Sequence, residues 1–219
     1  SPHYSAGPGL WPGGGRKLSL MSAKHSISRD DIIPLEVYGP ERAERRRVVI
    51  AYKRPRRLEV GPFAALYFEN YTTMLSQIQE MLWIEKGGDE QLADELAAYN
   101  PLIPQGRELV ATLMFEIADE TRRDAILTTL GGIEDMVSLE VAGQKVRAVA
   151  EVEDGIERTR FDGKTSSVHF LHFPFQPAQI AAFRQPNARI IAAIEHPAYG
   201  HMAVLPEATR EALAGDFDS

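Results

Sequence analysis

Residues 108–117 read ELVATLMFEI, and the reading of this stretch decides the fold class. Leu109, Ala111, Leu113, Phe115 and Ile117 occupy every second position. That period of two is expected of a strand with one face turned inward. Downstream, residues 119–130 take a helical pattern with Asp119 as its cap, closed by Gly131-Gly132. Residues 136–141 and 145–152 alternate around Ala142-Gly143-Gln144, which predicts a hairpin. An aromatic-rich strand follows at 167–175, then a short helix at 177–184 and a strand at 189–194. Residues 201–205 allow one more strand, and 206–213 a terminal helix. Without the extra hairpin strand, this order matches a split βαβ, ferredoxin-like sandwich.

Upstream the period is helical. Ser28 and Asp31 pair as a capping signal, and Pro34 limits any helix there. Residues 40–53 read as a helix with Pro40 in its first turn, stopped by Pro55. After Gly61-Pro62, residues 63–86 carry the strongest helical pattern, with Leu66, Tyr67, Met74, Ile78, Met81 and Leu82 at helical spacing. Gly87-Gly88 closes it, and a second helix over 90–99 stops at Asn100-Pro101. The expected class is α+β: a helical part over 21–107 and a mainly antiparallel sheet part over 108–219, packed as one domain.

The first twenty residues, SPHYSAGPGLWPGGGRKLSL, show no period and are rich in proline and glycine, the composition of a disordered tail. Met21 is read as the native start, with the preceding residues arising from a misplaced one; that leaves about 199 of the 219 residues for the fold.

Composition excludes several chemistries. There is no cysteine, so disulfides, thiolate nucleophiles, cysteine zinc sites and iron–sulfur ligation are ruled out within this chain. The net charge is −7. Residues 108–219 carry 10 basic and 18 acidic groups, a difference of −8, while residues 21–107 carry 12 and 13, a difference of −1. No apolar run approaches the roughly 18 residues of a membrane span, and no secretory pattern opens the chain. A cytoplasmic protein is expected.

Three groups of residues could carry function. Arg42, Arg45, Arg46, Arg47, Lys53, Arg54, Arg56 and Arg57 place eight cations within sixteen residues. Arginine forks suit phosphates and carboxylates, so Arg46, Arg47, Arg54, Arg56 and Arg57 are candidates for an anion or an acidic partner. The bland alternative is a solvated helix face paired with the acidic C-terminal half. Nucleic acid is the weaker reading, because no aromatics interleave the cations. On the long helix, Glu69, Thr73, Ser76 and Glu80 follow the spacing of one face, and Asn70, Met74, Gln77, Met81 and Ile84 that of the next. Buried amides need partners, so Asn70 and Gln77 are network members or ligand holders.

The histidines form the third group. His169 and His172 lie three apart in one strand and point to opposite faces, His172 with Val168 and Phe170 on the face expected to be core. His196 and His201 flank a turn, Pro197-Ala198-Tyr199-Gly200, that could bring them together. A zinc or iron site of His196 and His201, completed by Glu195, Glu116 or His169, is the metal alternative. Histidines bonded at strand ends are the plain one. The signatures of serine hydrolases, phosphate-binding loops, zinc proteases and calcium loops are absent.

Gly61-Pro62, Phe68-Glu69-Asn70, Thr73 and the run Gln77-Ile78-Gln79-Glu80-Met81-Leu82 resemble the bacterial family known as domain of unknown function 3501. Phe173-Pro174, the helix from Pro177 through Phe183-Arg184, and the His196-Pro197-Ala198-Tyr199 turn fit it too. The resemblance spans about residues 28–213. It implies no established activity and names no cofactor. Genes of that family often stand near those of rubrerythrin-like and iron–sulfur oxidoreductase proteins, which implies a part in redox or peroxide defence. The leading expectation is therefore a non-enzymatic accessory protein acting on such a partner through the arginine run and the long helix. The alternative is a metal protein or enzyme with a site between Glu69, Asn70, Gln77 and Glu80 and the histidines His169, His196 and His201.

Overall fold

The computed structural model describes residues 24–151 and 164–219. The expected tail and the reading of Met21 lie outside the described residues, as does the last residue of the expected 145–152 strand. The elements in chain order are α1 (Leu35–Lys53), β1 (Arg57–Val60), β2 (Ala64–Glu69), α2 (Tyr71–Glu85), α3 (Gly88–Tyr99), β3 (Glu108–Phe115), α4 (Glu120–Thr128), β4 (Val137–Val141), β5 (Gln144–Arg147), β6 (Val149–Ala150), β7 (Val168–Pro174), α5 (Pro177–Phe183), β8 (Ile191–His196), β9 (Tyr199–Val204) and α6 (Glu207–Ala214). The class is α+β. The chain divides into two compact units: a helical one that runs up to Arg54 and takes in Asn70–Ile103, and a sheet one of Pro55–Glu69 with Pro104–Asp218.

Two elements differ from the sequence reading. The helix expected over 63–86 is a strand up to Glu69 and a helix from Tyr71. Asn70 divides them: its side chain accepts from the Thr73 amide at 3.1 Å, and the Thr73 hydroxyl accepts from the Asn70 amide at 2.9 Å. That reciprocal cap fixes the helix start. Gly61-Pro62 is accordingly the turn of the β1–β2 hairpin. Second, α1 begins at Leu35 with Pro34 at its N-cap, and Pro40 lies inside it. The prolyl interruption costs about 3 kcal/mol. Burial of Tyr38 in the turn before it, with its hydroxyl bonded to Glu80 at 2.8 Å, opposes that cost.

In the helical unit, the contacts are made by polar clamps as well as apolar packing. Gln79 is fully buried and holds both backbone groups of Ile33, accepting from N at 3.0 Å and donating to O at 2.9 Å. Asn100 does the same for Ile27, at 2.7 and 3.0 Å. Gly39 faces the Trp83 ring so closely that a Cβ there would lie 2.7 Å from it.

Among the described residues, the sheet unit contains two antiparallel sheets, not the single sheet of a split βαβ sandwich. One has the order β1-β2-β3-β7-β6, the other β5-β4-β8-β9. β1, which falls between the two expected helices, and β2, expected to be helical, supply two strands of the first. At one seam, β5 and β6 are almost continuous and carry the chain from one sheet to the other across Ala148, whose amide donates to the Val137 oxygen at 2.9 Å. At the other, Tyr199 of β9 reaches the β1–β2 hairpin. Its hydroxyl donates to Val60 O at 2.6 Å and accepts from the amides of Phe63 and Ala64, both at 3.0 Å. Gly61, at φ +74°, lies against Tyr199 and His201 where a side chain would collide. The inner faces pack one core that includes Leu66, Phe68, Leu113, Leu139, Leu171, Phe173 and Ile194. Phe175, Phe183 and Phe217 join it as an edge-to-face cluster, Phe217 lying 4.9 and 5.4 Å from the other two rings.

Candidate functional site

Helical spacing places Ala43, Arg46, Arg47, Ile50 and Arg54 along one side of α1. All five are exposed, Ile50 by 59%. Arg47 pairs with Glu44 one turn earlier, and Arg46 stands 3.5 Å from Glu80 while keeping half of its side chain in solvent. Arg42, by contrast, is committed to Glu80 through three hydrogen bonds of 3.0–3.2 Å. Glu80 therefore receives Tyr38 and Arg42 at close range, with Arg46 behind them. Burial, then Glu80, raises the Tyr38 phenol well above its ordinary value, so it remains a donor.

The arginine run does not form one surface. Arg56 is buried, 3% exposed, where it donates to Phe68 O at 2.9 Å and pairs with Asp216. It is a structural tie and is removed from the set of anion-binding candidates. Arg57 belongs to β1 and bonds Tyr67 at 3.0 Å, Glu116 at 2.7 Å and Glu59 at 3.0 Å.

Arg57 opens a second polar surface, on the outer face of the five-stranded sheet. Strand alternation puts Arg57, Tyr67, Glu69, Thr112 and His172 on this face. Tyr67 donates to Glu116, and both meet Arg57. Burial raises the Tyr67 phenol, and the Glu116 bond raises it further. Burial also acts upward on Glu116, but the bonds from Tyr67 and Arg57 outweigh it and hold the carboxyl below its ordinary range. Glu69, expected on the long helix, ends β2 instead and accepts from the Thr112 hydroxyl at 3.2 Å. Further along, the His172 ring meets Glu108 at Nδ1, 3.0 Å, and Glu151 at Nε2, 2.6 Å. The Glu108 bond leads the causes that raise this imidazole above its ordinary pKa.

The remaining candidates have local roles. Asn70 and Thr73 cap α2, and Asn70 also donates to the Tyr52 hydroxyl at 2.7 Å. Gln77 reaches the Tyr99 hydroxyl at 3.4 Å. His169 is in the core, with Nε2 between Ser166 O at 2.9 Å and Thr165 Oγ1 at 3.1 Å. His196 accepts from the Ala198 amide at Nδ1, 3.0 Å, so its Nε2 donates to Gly131 O at 3.0 Å. His201 packs against Tyr199 in a tilted contact, with ring centroids 4.5 Å apart. The turn therefore gives His196 and His201 different partners. Among the described residues no group of three or more histidines and carboxylates is placed to hold a metal ion. The residue that sequence reasoning passed over is His172: its face was expected to be core, and its partners lie 64 and 21 positions away.

Fold and site together define a cysteine-free α+β protein of two antiparallel sheets and a helical unit, with its polar groups gathered on a helix face and an outer sheet face. The chain belongs to the family described as Protein of unknown function (DUF3501), whose model matches residues 26–217. It is similar to a crystal structure described as a novel protein of unknown function from Burkholderia pseudomallei K96243. That likeness has a TM-score of 0.80 and 39% sequence identity, over 88% of this chain and 100% of the other. No curated protein matches. No helix among the described residues is long and apolar enough to cross a membrane.

Proposed function

We propose that this chain is a cytoplasmic, non-enzymatic accessory protein of a redox or peroxide-defence system, and that it docks an acidic redox protein through the exposed side of α1. One observation carries the reading: Ile50, 59% exposed, stands on one helix side with Arg46, Arg47 and Arg54. An apolar anchor among arginine forks suits a partner surface with carboxylates around an apolar depression. The redox setting rests on the family resemblance. With no cysteine, the chain supplies no thiolate, and on this reading the redox centre is the partner's. A rubrerythrin-like protein or an iron–sulfur oxidoreductase is the partner class. Calorimetric titration of this protein against the purified rubrerythrin-like and iron–sulfur proteins of its own source is the test. Saturable binding to one of them supports the proposal, and no heat with either contradicts it.

A further inference from the structure

The short edge strand β6 is the least secured part of the five-stranded sheet. It has two residues, paired as Val149 with His172 and Ala150 with Leu171. One further backbone bond, from the Glu151 amide to Phe170 O at 2.8 Å, extends it. Val149 is 57% exposed. Two or three ladder bonds hold a strand end weakly, so a side-chain tie at this place has a large share in keeping it closed. The tie is His172, whose two ring nitrogens face carboxylates from two directions: Glu108 of β3 at 3.0 Å and Glu151, just past β6, at 2.6 Å.

We propose that His172 is a proton-operated latch: the imidazolium binds β6 to β7 and β3, and loss of its proton releases the β6 edge. The geometry requires the proton. A neutral imidazole has one N–H and one lone pair, and a carboxylate offers only lone pairs. With the ring neutral, one of the two contacts would set lone pair against lone pair at hydrogen-bond distance. The same face also carries Arg57 of β1, which is paired with Glu59 and Glu116, and Glu69 of β2, which lies in the cross-strand row of His172 through Val110. Glu69, the one of these in the His172 row, is acidic and favours the proton. On β7 itself the neighbours on this face are Phe170 and Pro174, which carry no charge, and Arg107 beside Glu108 is exposed. The raised pKa of the ring agrees with this arrangement. Glu151 is more exposed than Glu108, 33% against 19%, so it is the partner that swings into water when the proton leaves. β6 then keeps only its backbone bonds, and the edge of β7 opens at the seam where the chain crosses between sheets.

Amide exchange by nuclear magnetic resonance between pH 5.5 and 8.5, corrected for base-catalysed intrinsic exchange, tests the latch in the full chain. The His172 ring is titrated in the same samples. The protection of the Glu151 amide is expected to fall about tenfold or more across the His172 titration. His172→Gln is expected to show the low protection at every pH. Glu151→Gln, which keeps the size of the side chain, is expected to lower the His172 pKa. Protection that stays level through the His172 titration overturns the proposal. So does a wild-type profile in His172→Gln, or a His172 pKa unmoved by Glu151→Gln. None of these outcomes depends on partner binding.

Discussion

The Tyr199 hydroxyl donates to the Val60 carbonyl oxygen at 2.6 Å and so joins β9 of one sheet to the β1–β2 hairpin of the other. The hydroxyl oxygen of Tyr199 in turn accepts from the amides of Phe63 and Ala64. Tyr199 is 4% exposed, so Tyr199→Phe leaves three backbone groups with no hydroxyl at a buried seam. Unsatisfied buried groups cost about 1–3 kcal/mol each, and partial relaxation brings the expected total to about 3 kcal/mol. Urea unfolding of the variant measures it. A loss below about 0.5 kcal/mol would mean that the seam is held by packing alone.

Arg56 and Asp216 form a buried ion pair that ties the C-terminal segment to β2 through Phe68 O. Removing one partner strands the other charge, so Asp216→Ala is expected to destabilise by about 3–5 kcal/mol. The double variant Arg56→Met/Asp216→Leu removes both charges and is expected to regain most of that loss. Equal stability of the single and double variants would contradict the assignment of a paired buried charge.

Stability has two opposite limbs with pH. The folded pKa of His172 lies above its ordinary 6.5, so its contribution is complete below about 6.5 and is lost as pH rises through the folded value. Glu116 is shifted below its ordinary 4.5, so its contribution is present above about 4.5 and is lost as pH falls through the folded value. Unfolding midpoints are expected to be highest between these limits. His172→Gln should remove the alkaline limb and leave the acid limb in place.

Much of this was legible in the residues, and the exceptions have physical causes. The strand over 108–115 was readable because one face is continuously apolar. β2 was not, because Ala64-Ala65-Leu66-Tyr67-Phe68 is apolar at every position, whereas Glu108 and Thr112 interrupt the run in the other strand. A strand apolar at every position loses its period of two, and its apolar run merged with the helix that follows. The signal that separates them is Asn70-x-x-Thr73, a capping pair readable from sequence. The division into two sheets has no such mark. It depends on β5 and β6 changing sheets at Ala148 and on Tyr199 reaching Val60, contacts made over long separations. The pairing of Arg56 with Asp216, 160 positions apart, was hidden for the same reason.

Gly39 tests the packing of α1 on α2. In a free helix, Gly→Ala gains up to about 1 kcal/mol. Here the added methyl would lie 2.7 Å from the Trp83 ring. Gly39→Ala is therefore expected to destabilise by about 1–3 kcal/mol, the usual cost of overpacking. Trp83→Leu in the same chain should reverse the sign of the glycine substitution. A stabilising Gly39→Ala in the wild-type background would show that the two helices part freely.

The proposed docking through α1 is tested most directly by the dissociation constant of the complex with the proposed acidic redox partner, measured for wild type and for Arg47→Glu/Arg54→Glu. Both arginines are exposed and Arg47 has only a surface pair with Glu44, so the variant should unfold at the wild-type temperature. Affinity is expected to fall at least about tenfold, and wild-type binding to weaken steeply between low and physiological salt. An unchanged dissociation constant in the variant, with the fold intact, would contradict the docking role of this helix.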